Sequence, residues 1–321
     1  MRAYIIRRVL LLIPTLFILT ILVFLSVRFI PGDVVDLIVG RMEWYGTGGE
    51  EIDREAVERM LGLDVPAYVQ YGRWIRDILL HGTLGESLLG SYAIEEKILG
   101  RLPVTIELGV LAIVISLLIA LPVGIYSAIR QDTAADYAGR TLAIIGLATP
   151  NFWLALMVII FPAIWWGWSP PTELIPFSED PLGNLAVFLI PSLILGTAMS
   201  AATMRMTRTM MLEVLRQDYI RTAWSKGLRE RVVVIRHTIK NALIPIVTLV
   251  GLQLPLLVGG SVIMEYIFNL PGLGRLLLTA LTNRDYPVVS GVNLFFATVV
   301  IGVNLLIDLI YPYLDPRVRY K

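Results

Sequence analysis

Residues 108–129 read LGVLAIVISLLIALPVGIYSAI, a run without one charged side chain. At about 1.5 Å of rise per residue, a helix of this length crosses a hydrocarbon layer about 30 Å thick. Working outward in both directions, five more uncharged runs of span length appear: Val9–Val27, Thr141–Thr172, Pro181–Met204, Ala242–Met264 and Tyr286–Ile307. Charged residues bound each of them. This is expected when Arg, Lys and Asp each cost about 2.5–3.5 kcal/mol at the bilayer centre. The third run exceeds one span, and its tail, Trp165-Trp166-Gly167-Trp168-Ser169-Pro170-Pro171, reads as an interfacial aromatic belt entering a loop. The reading is an all-α membrane protein with six transmembrane helices.

Composition agrees. Of 321 residues, 56% are hydrophobic and 17% charged, against about 45–50% and about 25% in soluble domains. A soluble enzyme, a disordered chain and a fibrous repeat are excluded. The net charge of +1 carries no polyanion-binding signal, so no nucleic-acid partner is expected. Cysteine is absent and only His81 and His237 occur, which excludes thiolate metal sites, disulfides and His-rich metal centres. Arg2, Arg7 and Arg8 precede the first run as in a signal peptide. The apolar stretch is too long for one, however, and no small-residue cleavage pattern follows, so the helix reads as retained.

Orientation follows from Lys and Arg in the short loops. Segments 1–8, 130–140, 205–240 and 308–321 together hold seventeen, whereas 165–182 and 265–285 hold none and two. Both termini and the 205–240 loop are therefore expected in the cytoplasm of a multi-pass protein of the cytoplasmic (inner) membrane. The expected divisions are an N-terminal helix over 1–30, an extracytoplasmic subdomain over 31–102, a core over 103–312 and a cytoplasmic tail over 313–321. The five core helices are placed near 105–129, 141–164, 184–204, 242–264 and 287–308, with a loop at 205–241.

Segment 31–102 holds seven basic and thirteen acidic residues, so it is solvated and acidic. Ile52–Leu63 has helical spacing of apolar residues, with Gly62 placed to end it, and Tyr68–Leu80 reads as a second amphipathic helix. The segment is either a spacer or a docking surface for an extracytoplasmic partner; paired amphipathic helices favour docking.

In the long basic loop, Asp218 is a plausible N-cap, and Tyr219–Lys226 follows as about two turns. Gly227 stands where a left-handed residue would stop that helix. Leu228–Ile244 then resumes with apolar residues at 228, 232, 235, 239 and 243, feeding the fifth span. Two helices meeting at a glycine elbow make a lever: force on Tyr219–Lys226 would move Ala242–Met264.

The run Asp218-Tyr219-Ile220-Arg221-Thr222-Ala223-Trp224-Ser225-Lys226-Gly227-Leu228 resembles the cytoplasmic "EAA" loop of ATP-binding-cassette (ABC) importer permeases, in particular the B-type dipeptide, oligopeptide and nickel permeases. Further matches run along nearly the whole chain. They are Ile6-Arg7-Arg8-Val9, Arg28-Phe29-Ile30-Pro31-Gly32-Asp33, Gly82-Thr83-Leu84-Gly85-Glu86-Ser87, Arg101-Leu102-Pro103-Val104-Thr105-Ile106-Glu107-Leu108, Thr149-Pro150-Asn151-Phe152-Trp153, Arg236-His237-Thr238-Ile239-Lys240-Asn241-Ala242-Leu243-Ile244-Pro245, Pro271-Gly272-Leu273-Gly274-Arg275, Asp285-Tyr286-Pro287 and Asp315-Pro316-Arg317. Arg221-Thr222-Ala223 replaces the general Glu-Ala-Ala, and Trp224 stands where a small or basic residue is expected.

The resemblance implies a type I ABC importer permease fold and half of a translocation pathway for di- or oligopeptides, nickel complexes or similar solutes. It implies a homologous second permease, two cytoplasmic ATPases that bind ATP and Mg, and an extracytoplasmic substrate-binding protein. It also implies that Asp218, Tyr219, Arg221, Thr222, Ala223, Lys226, Gly227 and Leu228 form the ATPase-coupling site. This chain would then hold no cofactor, no metal and no catalytic residue.

The remaining residues allow two readings each. Arg205, Arg208 and Arg216 serve chiefly the inside-positive bias, and Glu107, Glu265 and Asp308 read as interfacial acids at span ends. Pro14, Pro122, Pro150, Pro162, Pro191, Pro245 and Pro255 interrupt spans either for gating or for packing. Asn151, Ser192, Thr197, Ser200, Thr203, Gln253 and Asn293 either line a pathway or join helices by hydrogen bonds. No P-loop, His-Glu-x-x-His or Gly-x-Ser-x-Gly motif occurs, so uphill transport needs an outside energy source. A stand-alone ion-coupled transporter would want a mid-span acid, and an intramembrane enzyme would want a nucleophile or carboxylate pair. The sequence shows neither.

Overall fold

The computed structural model describes residues 2–29, 35, 36, 39, 40, 53–60, 62–90 and 92–314. Expectations for Ile52, Leu61, Ile30–Asp33 and the Asp315-Pro316-Arg317 tail motif lie outside those residues. The chain divides into two compact units, 1–102 with 276–301, and 103–275 with 302–321.

In the first unit, α1 (Arg2–Arg28) is a long apolar helix with Pro14 inside it. α2 (Arg54–Met60) is stopped near Gly62, whose φ is +65°. α3 (Ala67–Arg76) runs into a π-helical turn at Asp77–His81. Val35 and Val57 form a small buried core with Leu63, Leu88 and Tyr286 against it. Two of the quoted motifs meet here. The Ser87 hydroxyl and the Leu88 N–H (3.2 Å) both donate to the Asp285 carboxylate. Glu95, in the first turn of α4 (Ile94–Ile129), accepts from Thr83 Oγ1 at 3.0 Å and Leu84 N at 3.2 Å. A cavity of about 690 Å³ in this unit is lined by Phe24, Arg28, Trp74, Asp77, Glu86 and Tyr286, among others.

The second unit is a helical bundle. α5 (Ala134–Ala148), α6 (Asn151–Trp166), α7 (Pro181–Leu215) and α10 (Lys240–Ile267) follow α4, and α7 packs against both α5 and α10. Leu108, Ala112, Phe188, Leu195, Met264 and Leu270 belong to its buried core. Small residues let helices approach where lipid offers no hydrophobic drive. A Cβ on Gly196 would sit 2.8 Å from the Ala112 carbonyl, and one on Gly124 would sit 2.9 Å from that of Met204. α11 (Leu273–Thr282) and α12 (Tyr286–Leu314) follow, with residues 276–301 belonging to the first unit.

Among the described residues, five helices are long and apolar enough to cross a membrane, or six if α5 and α6 count as one broken span. That pair corrects the expected single helix at 141–164. It bends by 93° at Thr149-Pro150, where proline excludes the helical region for the residue before it; Thr149 is extended at φ −84°, ψ 120°. A second correction concerns 205–241. Residues 205–215 are the last three turns of α7 rather than loop. The other span prolines named in the sequence sit inside continuous helices.

Candidate functional site

The connection from α7 to α10 holds α8 (Asp218–Ser225). Gln217, extended at φ −72°, ψ 149°, is its N-cap; Asp218 is the first helical residue and gives no cap, contrary to expectation. Asp218 instead places a carboxylate in the first turn, where the helix dipole favours it, and lies 3.5 Å from Arg221.

The far end follows the sequence reading closely. Gly227 has φ +73°, and its N–H donates to the Trp224 carbonyl at 2.9 Å while the Leu228 N–H donates to that of Ala223 at 3.4 Å. This paired pattern is a Schellman cap, whose C′ position takes glycine because a side chain there meets the backbone. Apart from the adjoining backbone, no described atom lies within 4 Å of where a Gly227 Cβ would be, so backbone conformation alone imposes the glycine.

Beyond the elbow, α9 (Glu230–Val232) widens into a π-helical stretch, Val233–Ile239, before α10. The wide turns shift the buried face from the expected 228, 232, 235, 239 and 243 to Val233, Val234 and Thr238, leaving Val232 and Ile235 exposed. This is a correction to the regular helix read over Leu228–Ile244.

α8 is seated by one face. Ile220, Ala223 and Val233 form a buried cluster, with Val214 and Leu215 of α7 and Leu228 packed on it. Asp218, Arg221, Thr222, Lys226 and Gly227 are exposed, Tyr219 is 45% exposed and Trp224 44%. Tyr219 Oη accepts from Asn241 Nδ2, in the first turn of α10, at 2.9 Å. Arg130, just past α4, pairs with Glu230 at 3.1 Å. Of the eight residues singled out, six are therefore exposed, while Ala223 and Leu228 face the seat. A helix so placed presents a polar surface while its apolar face grips the end of α7 and the start of the π-helical stretch at Val233.

Two polar groups depart from their sequence reading. Arg208 donates to both Asp136 oxygens, at 2.9 and 2.8 Å, and Ser127 Oγ and the Asp132 N–H donate to the same carboxylate. Asp136 is fully buried, so Arg208 clamps α5 to α7. Glu265, at the end of α10 as the sequence places it, is also fully buried against protein. It accepts from Thr105 Oγ1 at 2.8 Å and the Arg275 N–H at 3.0 Å, while Thr105 Oγ1 accepts from the Leu273 N–H at 2.9 Å. A Cβ on Gly272 would come within 2.3 Å of the Glu265 carboxyl. The Pro271-Gly272-Leu273-Gly274-Arg275 run is thus a cover folded over a buried acid, and its glycines mark the close approach. Glu107 and Asp308 are half-buried.

Of the polar span residues, Thr203 and Gln253 hydrogen-bond each other at 3.3 Å across α7 and α10, which is helix joining. Thr197 and Ser200 bond back to their own helix, and Ser192 Oγ is buried without a partner among the described residues. Asn151 and Asn293 are half-buried.

A family model described as "binding-protein-dependent transport system inner membrane component" matches residues 120–320, and one for the N-terminal part of such membrane components matches residues 1–109. The chain belongs to that family. It is similar to a putative peptide transport system permease protein of Brucella abortus (strain 2308), 43% identical over 320 residues with all of both chains covered. It is likewise similar to the dipeptide transport system permease proteins of Escherichia coli (strain K12) and Alkalihalophilus pseudofirmus, 39% and 40% identical over the full length of each. Among solved structures, an amino acid ABC transporter chain shares the fold with TM-score 0.54, 15% identity, and coverage of 68% of this chain and 94% of that one. The protein is a multi-pass membrane permease subunit of a binding-protein-dependent ABC transporter.

Proposed function

We propose that this permease forms one half of the translocation pathway of an ATP-driven peptide importer, and that α8 is the element through which ATPases drive it. The observation that carries the proposal is α8 itself: a short, capped helix, apolar toward α7 and the π-helical stretch and polar outward. The full-length relatives named for peptide and dipeptide transport support peptides as cargo.

In this reading both termini and α8 face the cytoplasm. Asp218, Arg221, Thr222 and Lys226 meet an ATPase subunit, with Tyr219 and Gly227 fixing the helix. ATP closes the ATPase pair, which displaces α8. Ile220 and Ala223 carry the push into Val214 and Leu215 of α7 and Val233 before α10, and the spans switch their opening from one side to the other. A homologous second permease completes the pathway, an extracytoplasmic binding protein delivers the peptide, and ATP and Mg are held by the ATPases, so this chain performs no hydrolysis.

Reconstitution tests the whole reading. The chain with both ATPases, the sister permease and binding protein should concentrate a labelled dipeptide inside proteoliposomes only with ATP, and a protonophore should leave uptake unchanged. Uptake by the chain alone, collapsed by the protonophore, would establish an ion-coupled carrier instead.

A further inference from the structure

α3 and the π-helical turn that follows it present three sides. Tyr68, Gly72, Ile75 and Leu79 fall at helical spacing on one; Tyr71, Trp74 and Ile78 on a second; Arg73, Arg76 and Asp77 on a third. The second side is fastened to α1. Tyr71 Oη lies 2.8 Å from Thr20 Oγ1. The Phe24 ring meets Tyr71 edge-on with centroids 5.2 Å apart and stacks on Trp74 at 6.0 Å. Arg28 donates to Gln70 and lies over the Phe24 ring.

These contacts fix a depth. Thr20 is eight residues inside Arg28, the charged end of the apolar stretch, which is about 12 Å of helix at about 1.5 Å per residue. α3 therefore lies against the last turns of the hydrocarbon-crossing part of α1, not above it. That is the level at which Tyr and Trp rings collect and Arg side chains reach out to headgroups.

Among the described residues, none covers Tyr68 or Leu79 on the first side, while Ile75 between them is half-buried. Tyr68 is 77% exposed and Leu79 76%. Leu80, carried by the wide π-helical turn, is exposed beside Leu79. Leu22 and Leu25 of α1 and Phe29 just past its end, in the same stretch to which α3 is fastened, are exposed as well. A helix with one strongly apolar side, two arginines opposite and little net hydrophobicity suits the plane of a bilayer interface.

We propose that α3 is an interfacial helix, with Tyr68, Ile75, Leu79 and Leu80 dipped into the acyl chains of the leaflet at which α1 ends. The occupant is lipid because the exposed stripe continues the lipid-facing surface of α1 at the same depth. The segment between the first two spans is thereby tethered to the membrane surface.

The chain has no cysteine, so a single introduced thiol can carry a unique spin label. The full chain would be reconstituted in phosphatidylcholine vesicles as three variants, Leu79→Cys, Tyr68→Cys and Arg73→Cys. Power-saturation EPR then compares collisions with oxygen, which concentrates in lipid, and with a water-soluble nickel chelate. The labels at 79 and 68 should favour oxygen over nickel several-fold relative to the label at 73. Equal aqueous accessibility at all three positions would overturn the proposal. So would protection of 79 and 68 from both reagents, which is the signature of a covering protein.

Discussion

Asp136 and Arg208 show what a single pair contributes. The carboxylate is fully buried and takes two guanidinium bonds, one hydroxyl and one backbone N–H. Removing one partner of such a pair leaves an uncompensated charge at a cost of about 3–5 kcal/mol, whereas removing both is far milder. Arg208→Met should therefore lower the thermal midpoint of the detergent-solubilised protein markedly, and adding Asp136→Asn should restore much of it. Losses that simply add in the double variant, followed by tryptophan fluorescence on heating, would show that the two residues act independently. The sequence offered a partial signal, since Thr133 and Asp136 are spaced as a helix-capping box and Thr133 does cap α5. Which arginine of a basic loop meets which acid depends on how α5 and α7 pack, and no local pattern encodes that. Glu265 was hidden for the same reason. Its position at a span end reads as interfacial, and only the folding back of Gly272 and Gly274 buries it.

At the scale of elements, the α8 elbow was the most legible feature, because a positive φ after an amphipathic turn is a local demand that glycine meets by itself. Its consequence is testable. A β-branched residue at φ +73° is strained by about 1–3 kcal/mol, and open space around the position removes any packing explanation. In the assembled transporter, Gly227→Val should abolish stimulation of ATP hydrolysis by peptide-loaded binding protein. Gly227→Asn, which tolerates the left-handed region, should keep most of it; full stimulation in the valine variant would detach the elbow from coupling. The π-helical stretch after α9 was not legible. A regular 3–4 spacing of apolar residues predicts a regular helix, and the buried face moved to Val233, Val234 and Thr238 when the turns widened. The break at Thr149-Pro150 had its signal in the proline. An uncharged run of excess length nevertheless says nothing about whether one helix or two occupy it.

For the whole molecule, hydrophobic run length made the membrane class legible, because a charge in hydrocarbon is costly wherever the segment sits; among the described residues the spans number five, or six if α5 and α6 count as one. The division of labour is a consequence of what the chain contains. The described residues supply apolar helices and a buried clamp; in the proposed function α8 is the lever, and energy arrives through a surface. The central claim is that this surface is the outer face of α8. Site-specific cross-linking tests it most directly: Thr222→Cys in the assembled transporter, paired with single cysteines along the groove of the ATPase, with Tyr68→Cys in the first unit as the negative control. The account predicts efficient cross-links from position 222 whose yield changes when ATP is added, and none from position 68. Failure of position 222 to cross-link to the ATPase, in an assembly that still hydrolyses ATP and transports peptide, would contradict it.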